Sequence, residues 1–151
     1  MTKEELVAYL TGKFPEAEVK SGTQYAEMTV KAEDLHETAG QLKETPELSF
    51  DYVFCLTGVD YAENMGIIYH IESVEHRHTI VLKVRTADRL NPVIDTVSDV
   101  WITAKYHERE AYDLLGIHFN NHTDLRRLFL EDGWGFPLRK DYVDEVRIVE
   151  R

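Results

Sequence analysis

Cysteine is almost absent: Cys55 is the one thiol in 151 residues. It has no partner for an internal disulfide, and it falls short of the four thiolates that an iron–sulfur cluster commonly takes. Any redox centre this protein works with is therefore expected on another chain. Long apolar runs are lacking too. None approaches the roughly 18–20 residues that cross a bilayer. The opening MTKEELVAYL places acidic side chains where a secretory signal has a basic start and an apolar core. Basic residues are in deficit, 17 against 28 acidic, for a net charge of −11. That balance argues against sequence-blind binding to nucleic acid or anionic lipid, which draws on an excess of Lys and Arg. Several catalytic signatures are missing as well: no Gly-x-Ser-x-Gly elbow, no P-loop, no dinucleotide fingerprint and no HExxH. A protein on the cytoplasmic side of the membrane is expected, reaching the bilayer only through partners.

What the chain does contain suits one globular domain: 43% hydrophobic and 30% charged residues. The acidity is uneven. Residues 105–151 hold 8 of the 17 basic and 10 of the 28 acidic side chains, so the negative excess lies mostly before them. This near-balanced third carries two basic doublets, Arg126-Arg127 and Arg139-Lys140. Both signs at fixed places suit a protein interface better than a solvated face.

The element pattern begins with Thr2-Lys3-Glu4-Glu5, a capping box, followed by Leu6, Leu10 and Phe14 at helical spacing. Residues 17–20 and 25–30 flank a Ser-Gly-Thr turn and predict a β-hairpin. Leu35, Ala39 and Leu42 mark a second helix, closed near Thr45-Pro46. Phe50, Tyr52, Phe54 and Leu56 alternate as one face of a strand, and residues 67–74 and 79–85 predict two more in a meander. From Pro92 the chain is expected to turn helical, with a longer helix from about Trp101 to Leu115 ending at Gly116 in a left-handed cap. The order α-β-β-α-β-β-β-α predicts an α+β two-layer sandwich, a mostly antiparallel sheet with helices on one face. Residues 1–116 form this core. Residues 117–151 are a loop-rich, interface-forming extension of the same domain, expected to order only against a partner.

On the 101–115 helix, Trp101, Ala104, Glu108, Ala111, Tyr112 and Leu115 fall on one stripe. Glu108 puts a carboxylate in the middle of that apolar face, where an unpartnered charge costs several kcal/mol or is protonated. Arg126, Arg127 or Arg139 is expected to fold back onto the Glu108-Arg109-Glu110 region, because a guanidinium matches a carboxylate in paired hydrogen bonds. Arg109 and Asp113, four apart, are placed to pair along the helix, and Glu110 extends the acidic patch. Trp134, Phe136 and Tyr142 read equally well as covering residues or as interface anchors.

Three ordered blocks then stand out: Glu108-Arg109-Glu110-Ala-Tyr-Asp113-Leu-Leu-Gly116-Ile, then His122 with Asp124-Leu-Arg126-Arg127-Leu, then Gly135-Phe-Pro137-Leu-Arg139-Lys140-Asp141-Tyr142. Together they resemble the signature of the thirty-kilodalton subunit family of respiratory NADH:quinone oxidoreductase (complex I), whose bacterial members are called the C subunit. The resemblance implies a structural component of the peripheral arm that docks onto the quinone-site (D) subunit and its neighbours. It implies no catalytic residue and no cofactor on this chain, with iron–sulfur clusters, flavin and quinone on partner chains. Glu108, Arg109, Glu110, Asp113, His122, Asp124, Arg126, Arg127, Pro137, Arg139, Lys140 and Asp141 are then structural and interface positions.

Two alternatives stand beside this reading. One is the equivalent subunit of a membrane-bound [NiFe]-hydrogenase or of an F420H2- or ferredoxin-linked dehydrogenase. The other, from a different class, is a metal-dependent hydrolase using His118 and His122. The Asn120-Asn121 turn between those two histidines argues against their sharing a helix face, and most of the seven histidines read as surface or turn residues.

Overall fold

The computed structural model describes residues 1–144. Helix α1 spans Lys3–Lys13 and starts on the expected capping box. The Glu5 N–H donates to Thr2 Oγ1 at 3.2 Å, and the Thr2 N–H donates back to Glu5 Oε2 at 2.8 Å. Strands β1 (Glu18–Ser21) and β2 (Ala26–Lys31) form the hairpin, and a 3₁₀ turn at Ala32–Asp34 leads into α2 (Leu35–Glu44). Strands β3 (Tyr52–Asp60), β4 (Met65–Ser73) and β5 (His78–Arg85) form the meander. A short strand β6 (Val93–Asp95), helix α3 (Ala104–Leu115) and a second short strand β7 (His118–Asn120) follow.

The five-stranded sheet runs β1-β2-β5-β4-β3. Its pairings are antiparallel except between β2 and β5, which run parallel with Met28 beside Leu82. The meander therefore joins the hairpin through a crossover containing α2, β3 and β4, and the sheet is mixed. Met28 and Val30 on β2, Ile80, Leu82 and Val84 on β5, and Ile67, Tyr69 and Ile71 on β4 all point to one face. Leu6 and Leu10 of α1, Leu35, Ala39 and Leu42 of α2, and Ala104, Ala111 and Leu115 of α3 pack into the same core. The α+β sandwich with helices on one face is the architecture found.

Three local expectations change. Tyr52 and Phe54 do not share a face with Phe50 and Leu56: they are 43% and 38% exposed, while Phe50 and Leu56 are buried. Phe50 lies before β3, and a bulge between Val53 and Cys55 inserts one residue, so that Leu56 is buried with Val53 and not exposed with Phe54. After Pro92 the chain is extended, not helical. Val93-Ile94-Asp95 pairs in parallel with His118-Phe119-Asn120, as its β-branched run favours. The long helix also begins at Ala104, later than expected, because the chain from Val97 to Thr103 runs through tight turns. There the fully buried Trp101 donates its indole N–H to the Phe50 carbonyl at 2.8 Å. The helix does end at Gly116 in the left-handed conformation, φ 74°.

Candidate functional site

Helix α3 is buried on two sides. Ala104, Glu108, Ala111 and Leu115 face the sheet, as the wheel predicts. Arg109 and Asp113 are buried as well, and they lie on the side covered by the chain after Gly116. The extension returns across α3, and most of the signature residues are the contacts that hold it there.

Glu108 is fully buried, yet no arginine reaches it. Its Oε2 accepts from the Thr96 hydroxyl at 2.5 Å and its Oε1 from the Val97 N–H at 2.8 Å, which ties the turn after β6 to the helix. His122 Nε2 stands 3.6 Å from Oε2, and its side chain is equally buried, so this histidine is not a surface residue. Burial raises the Glu108 carboxyl to about 7. The two hydrogen bonds oppose that rise, and the negative charge of Asp99 adds to it. The expected Arg–Glu108 pairing is therefore replaced by hydroxyl and amide partners, with the His122 imidazole alongside.

The arginines instead bind backbone carbonyls. Arg109 does not pair with Asp113; it donates to the Arg126 and Arg127 carbonyls at 3.3 and 2.8 Å, with Asp124 4.0 Å away. Arg127 donates to the Asp113 carboxylate at 3.2 Å and to the Asp113 and Gly135 carbonyls. Asp113 also accepts from the Phe129 and Leu130 N–H groups at 2.7 and 3.1 Å. Burial would raise this carboxyl, but these donors outweigh it and hold it below the ordinary range. Arg139 donates to the Leu115 carbonyl, which α3 itself leaves free, at 2.6 Å. The Arg127 and Arg139 guanidiniums each lie over the Phe136 ring, 5.0 Å from its centre, with Tyr112 edge-on.

The remaining signature positions are placed as follows. Asp124 accepts from Arg126 at 2.8 Å at the surface. Glu110 is exposed and, with Leu138, lines a small groove between α3 and β3. Pro137 leads into a turn in which the Leu138 N–H bonds the Leu114 carbonyl. Lys140 acts through its backbone: its N–H donates to Asp60 Oδ2 at 2.8 Å. Asp141 accepts from Arg89 at 3.1 and 3.2 Å.

The other half of that last clamp was missed in the sequence. Arg89 also binds the buried Asp60 at 2.6 and 3.2 Å, so one guanidinium joins the end of β3 to the extension. Burial would raise Asp60, but Arg89 and the Lys140 and Ala62 N–H groups bring it to about 2. No periodicity or motif marks Arg89 or Asp60, since one lies in the loop after β5 and the other at the end of β3. Thr96 carries no signal either.

Residues 117–144 contain little regular structure, yet residues 126–130 and 138–141 are bonded to α3, β3 or the segment after β5. The extension expected to order only against a partner runs to residue 151, and residues 145–151 lie outside the described residues. The hydrolase alternative loses its ligand. His122 Nε2 bonds the Lys105 carbonyl at 3.0 Å and Nδ1 accepts from the Asp124 N–H at 3.0 Å, which leaves neither nitrogen for a metal.

Residues 28–146 match the family model described as the respiratory-chain NADH dehydrogenase, 30 Kd subunit. The chain is 45% identical over 119 residues to the joint C/D subunit of the NADH-quinone oxidoreductase of Phocaeicola vulgatus, covering 78% of this chain and 22% of that protein. It is 45% identical over 109 residues to the C subunit of the Chloroherpeton thalassium enzyme, covering 70% of this chain and 45% of that one. The C subunit from Roseiflexus castenholzii is 35% identical over 142 residues, with 90% and 81% covered. The match thus spans less than half the length of the first two relatives. Among solved structures, a chain of the membrane-bound sulfane sulfur reductase, an archaeal respiratory membrane complex, superposes with a TM-score of 0.80. It shows 26% identity, and 97% of this chain and 88% of that one are covered.

Proposed function

The chain belongs to the 30 kDa subunit family of respiratory-chain NADH dehydrogenase, and on that premise we propose that it is a docking subunit of the peripheral arm of an NADH:quinone oxidoreductase. In this reading it seats the quinone-site subunit from the cytoplasmic side of the membrane. It carries no active site and no cofactor of its own; clusters, flavin and quinone belong to its partners. Support for the partner comes from a relative named as a joint C/D subunit, in which the two are combined under one name. No helix among the described residues is long and apolar enough to cross a membrane, which fits a protein held there by others.

The observation that carries the reading is how the charged signature residues are used. Arg109, Asp113, Arg127 and Arg139 are consumed in holding the extension to α3, and Glu108 in holding the turn after β6 to that helix. What they present outward is apolar. Ile102 and Tyr106, one turn apart at the start of α3, are 75% and 59% exposed, and Phe129 and Leu138 on the extension are 68% and 60% exposed. Large apolar side chains on a rigid, internally bonded frame are the usual anchors of a protein interface.

Co-purification from detergent-solubilised membranes of cells expressing the whole operon tests this. The quinone-site subunit is expected to accompany the chain. Ile102→Asp or Phe129→Asp, both at exposed positions, are expected to cut its recovery about tenfold or more, the loss of one modest hot spot. Recovery of the wild-type chain only as a free monomer would overturn the proposal. A second reading, the equivalent subunit of a related respiratory membrane complex, draws on the likeness to the sulfane sulfur reductase chain. The identity of the co-purifying input subunits separates the two.

A further inference from the structure

The cluster around Glu108 does more than fasten two segments. Thr96 Oγ1, which touches Glu108 Oε2, lies 2.7 Å from Ser98 Oγ and also accepts from the Ser98 N–H at 3.1 Å. Glu108 and Thr96 are buried, whereas Ser98 is half-buried, so the three oxygens form a line from the interior toward solvent. Each hydroxyl can turn. With Glu108 ionised, Thr96 donates inward and Ser98 donates to Thr96. With Glu108 protonated, the acid donates to Thr96 and Thr96 donates to Ser98. Both directions satisfy every atom of the line, and the Val97 N–H bond to Oε1 persists in each. A buried carboxyl connected in this way can gain or lose a proton without the fold opening.

The inner side of the cluster does not adapt so freely. Glu108 is faced by Tyr69 from β4, by Asp99 from the turn before α3 and by His122 from the extension, with Arg109 and Asp124 beyond the imidazole. The Tyr69 hydroxyl is fully buried and has no hydrogen-bond partner among the described residues. His122 receives the Asp124 N–H on Nδ1, so its hydrogen sits on Nε2 and goes to the Lys105 carbonyl. An ionised Glu108 in this setting has no cation in contact. It draws water into the cluster, where the carboxylate and the His122 ring meet, and so disturbs the turn that fastens the extension to the first turn of α3.

We propose that Glu108 is an internal proton-binding site, that it exchanges its proton with solvent through the Thr96 and Ser98 hydroxyls, and that its ionisation loosens the 119–124 turn from α3. This goes beyond the docking role and does not depend on it. Burial among these groups places the transition near neutral pH, at about 7. Carbon-detected NMR of the full chain tests it by following the Glu108 side-chain carboxyl as pH is varied. The carboxyl signal is expected to move with a midpoint near neutrality, and the amides of Val97, His122 and Asp124 to shift with the same midpoint. Hydrogen exchange of residues 119–124 is then expected to rise through that midpoint more steeply than that of β4 and β5. Ser98→Ala, at a half-buried position, is expected to slow exchange between the two forms and split the carboxyl signal. A midpoint in the ordinary carboxylate range, His122 and Asp124 amides silent through the transition, or an unsplit signal in Ser98→Ala would each overturn the proposal.

Discussion

Glu108 and Asp60 are both shielded from water, and their neighbours drive them in opposite directions. Asp60 meets a guanidinium and two N–H groups and is held at about 2, against 3.8 for the free side chain. Its stabilising contribution is present above pH 3.8 and is lost as pH falls toward 2, about 2 kcal/mol in all. Glu108 meets no cation and is raised from 4.5 to about 7. The protonated form is the one the fold prefers, so its contribution is complete below pH 4.5 and fades as pH rises through 7, by about 3 kcal/mol. Urea unfolding across pH 2–8 reads both. Arg89→Met is expected to reduce the acid-side slope, and Glu108→Gln to flatten the loss between pH 4.5 and 7. An unchanged profile in Glu108→Gln would show that the carboxyl ionises as readily in the fold as outside it.

At the scale of elements, the decisive feature is how the C-terminal end of α3 is closed. A helix leaves its last carbonyls unpaired, and here Arg139 takes the Leu115 carbonyl while the Leu138 N–H takes that of Leu114. Gly116 makes the closure possible in two ways. Its φ of 74° disfavours a side chain, and a Cβ would come within 2.7 Å of Phe136 and 2.8 Å of Arg139. Gly133 has φ 92° with open space around it. Thermal melts should therefore separate the two: about 1 kcal/mol for Gly133→Ala from backbone strain alone, and roughly 2–4 kcal/mol for Gly116→Ala, which also displaces the Phe136 stack. Equal losses would mean that the stack contributes nothing to holding the extension.

For the whole molecule, the core and the extension are hard to separate. Ile117 and Phe119 are fully buried, β7 gives β6 its only strand partner among the described residues, and Arg109 and Asp113 find their partners in residues 124–130. Cutting after Gly116 would leave a buried guanidinium and a buried carboxylate uncovered and the core open on one side. A fragment of residues 1–116 is thus expected to show no cooperative unfolding transition by circular dichroism, while the full chain shows one. A cooperative transition in the fragment would make the extension a separable arm. The proposed docking surface belongs to this scale too, since Ile102 and Tyr106 come from one side of that cut and Phe129 and Leu138 from the other.

The sequence by itself determined what local rules govern. The capping box, the hairpin, the helical stripe of α3 and the left-handed glycine each depend on residues within a few positions of one another, and all four are found, the stripe without Trp101, which lies before the helix. The three signature blocks pointed to the family because spacing along the chain survives without coordinates. What only the tertiary structure decided involves residues that meet across the fold. The parallel pairing of β2 with β5 joins segments some fifty residues apart and leaves no periodic trace. The bulge at Val53–Cys55 is a register choice made against β4. The partners of Glu108 could not be read either: charge matching suggested arginine, but the turns before and after α3 bring Thr96 and His122 to it, and the arginines go to carbonyls that α3 and the extension leave open. Sequence showed that a carboxylate sat on an apolar face; packing decided that it stands there without a cation.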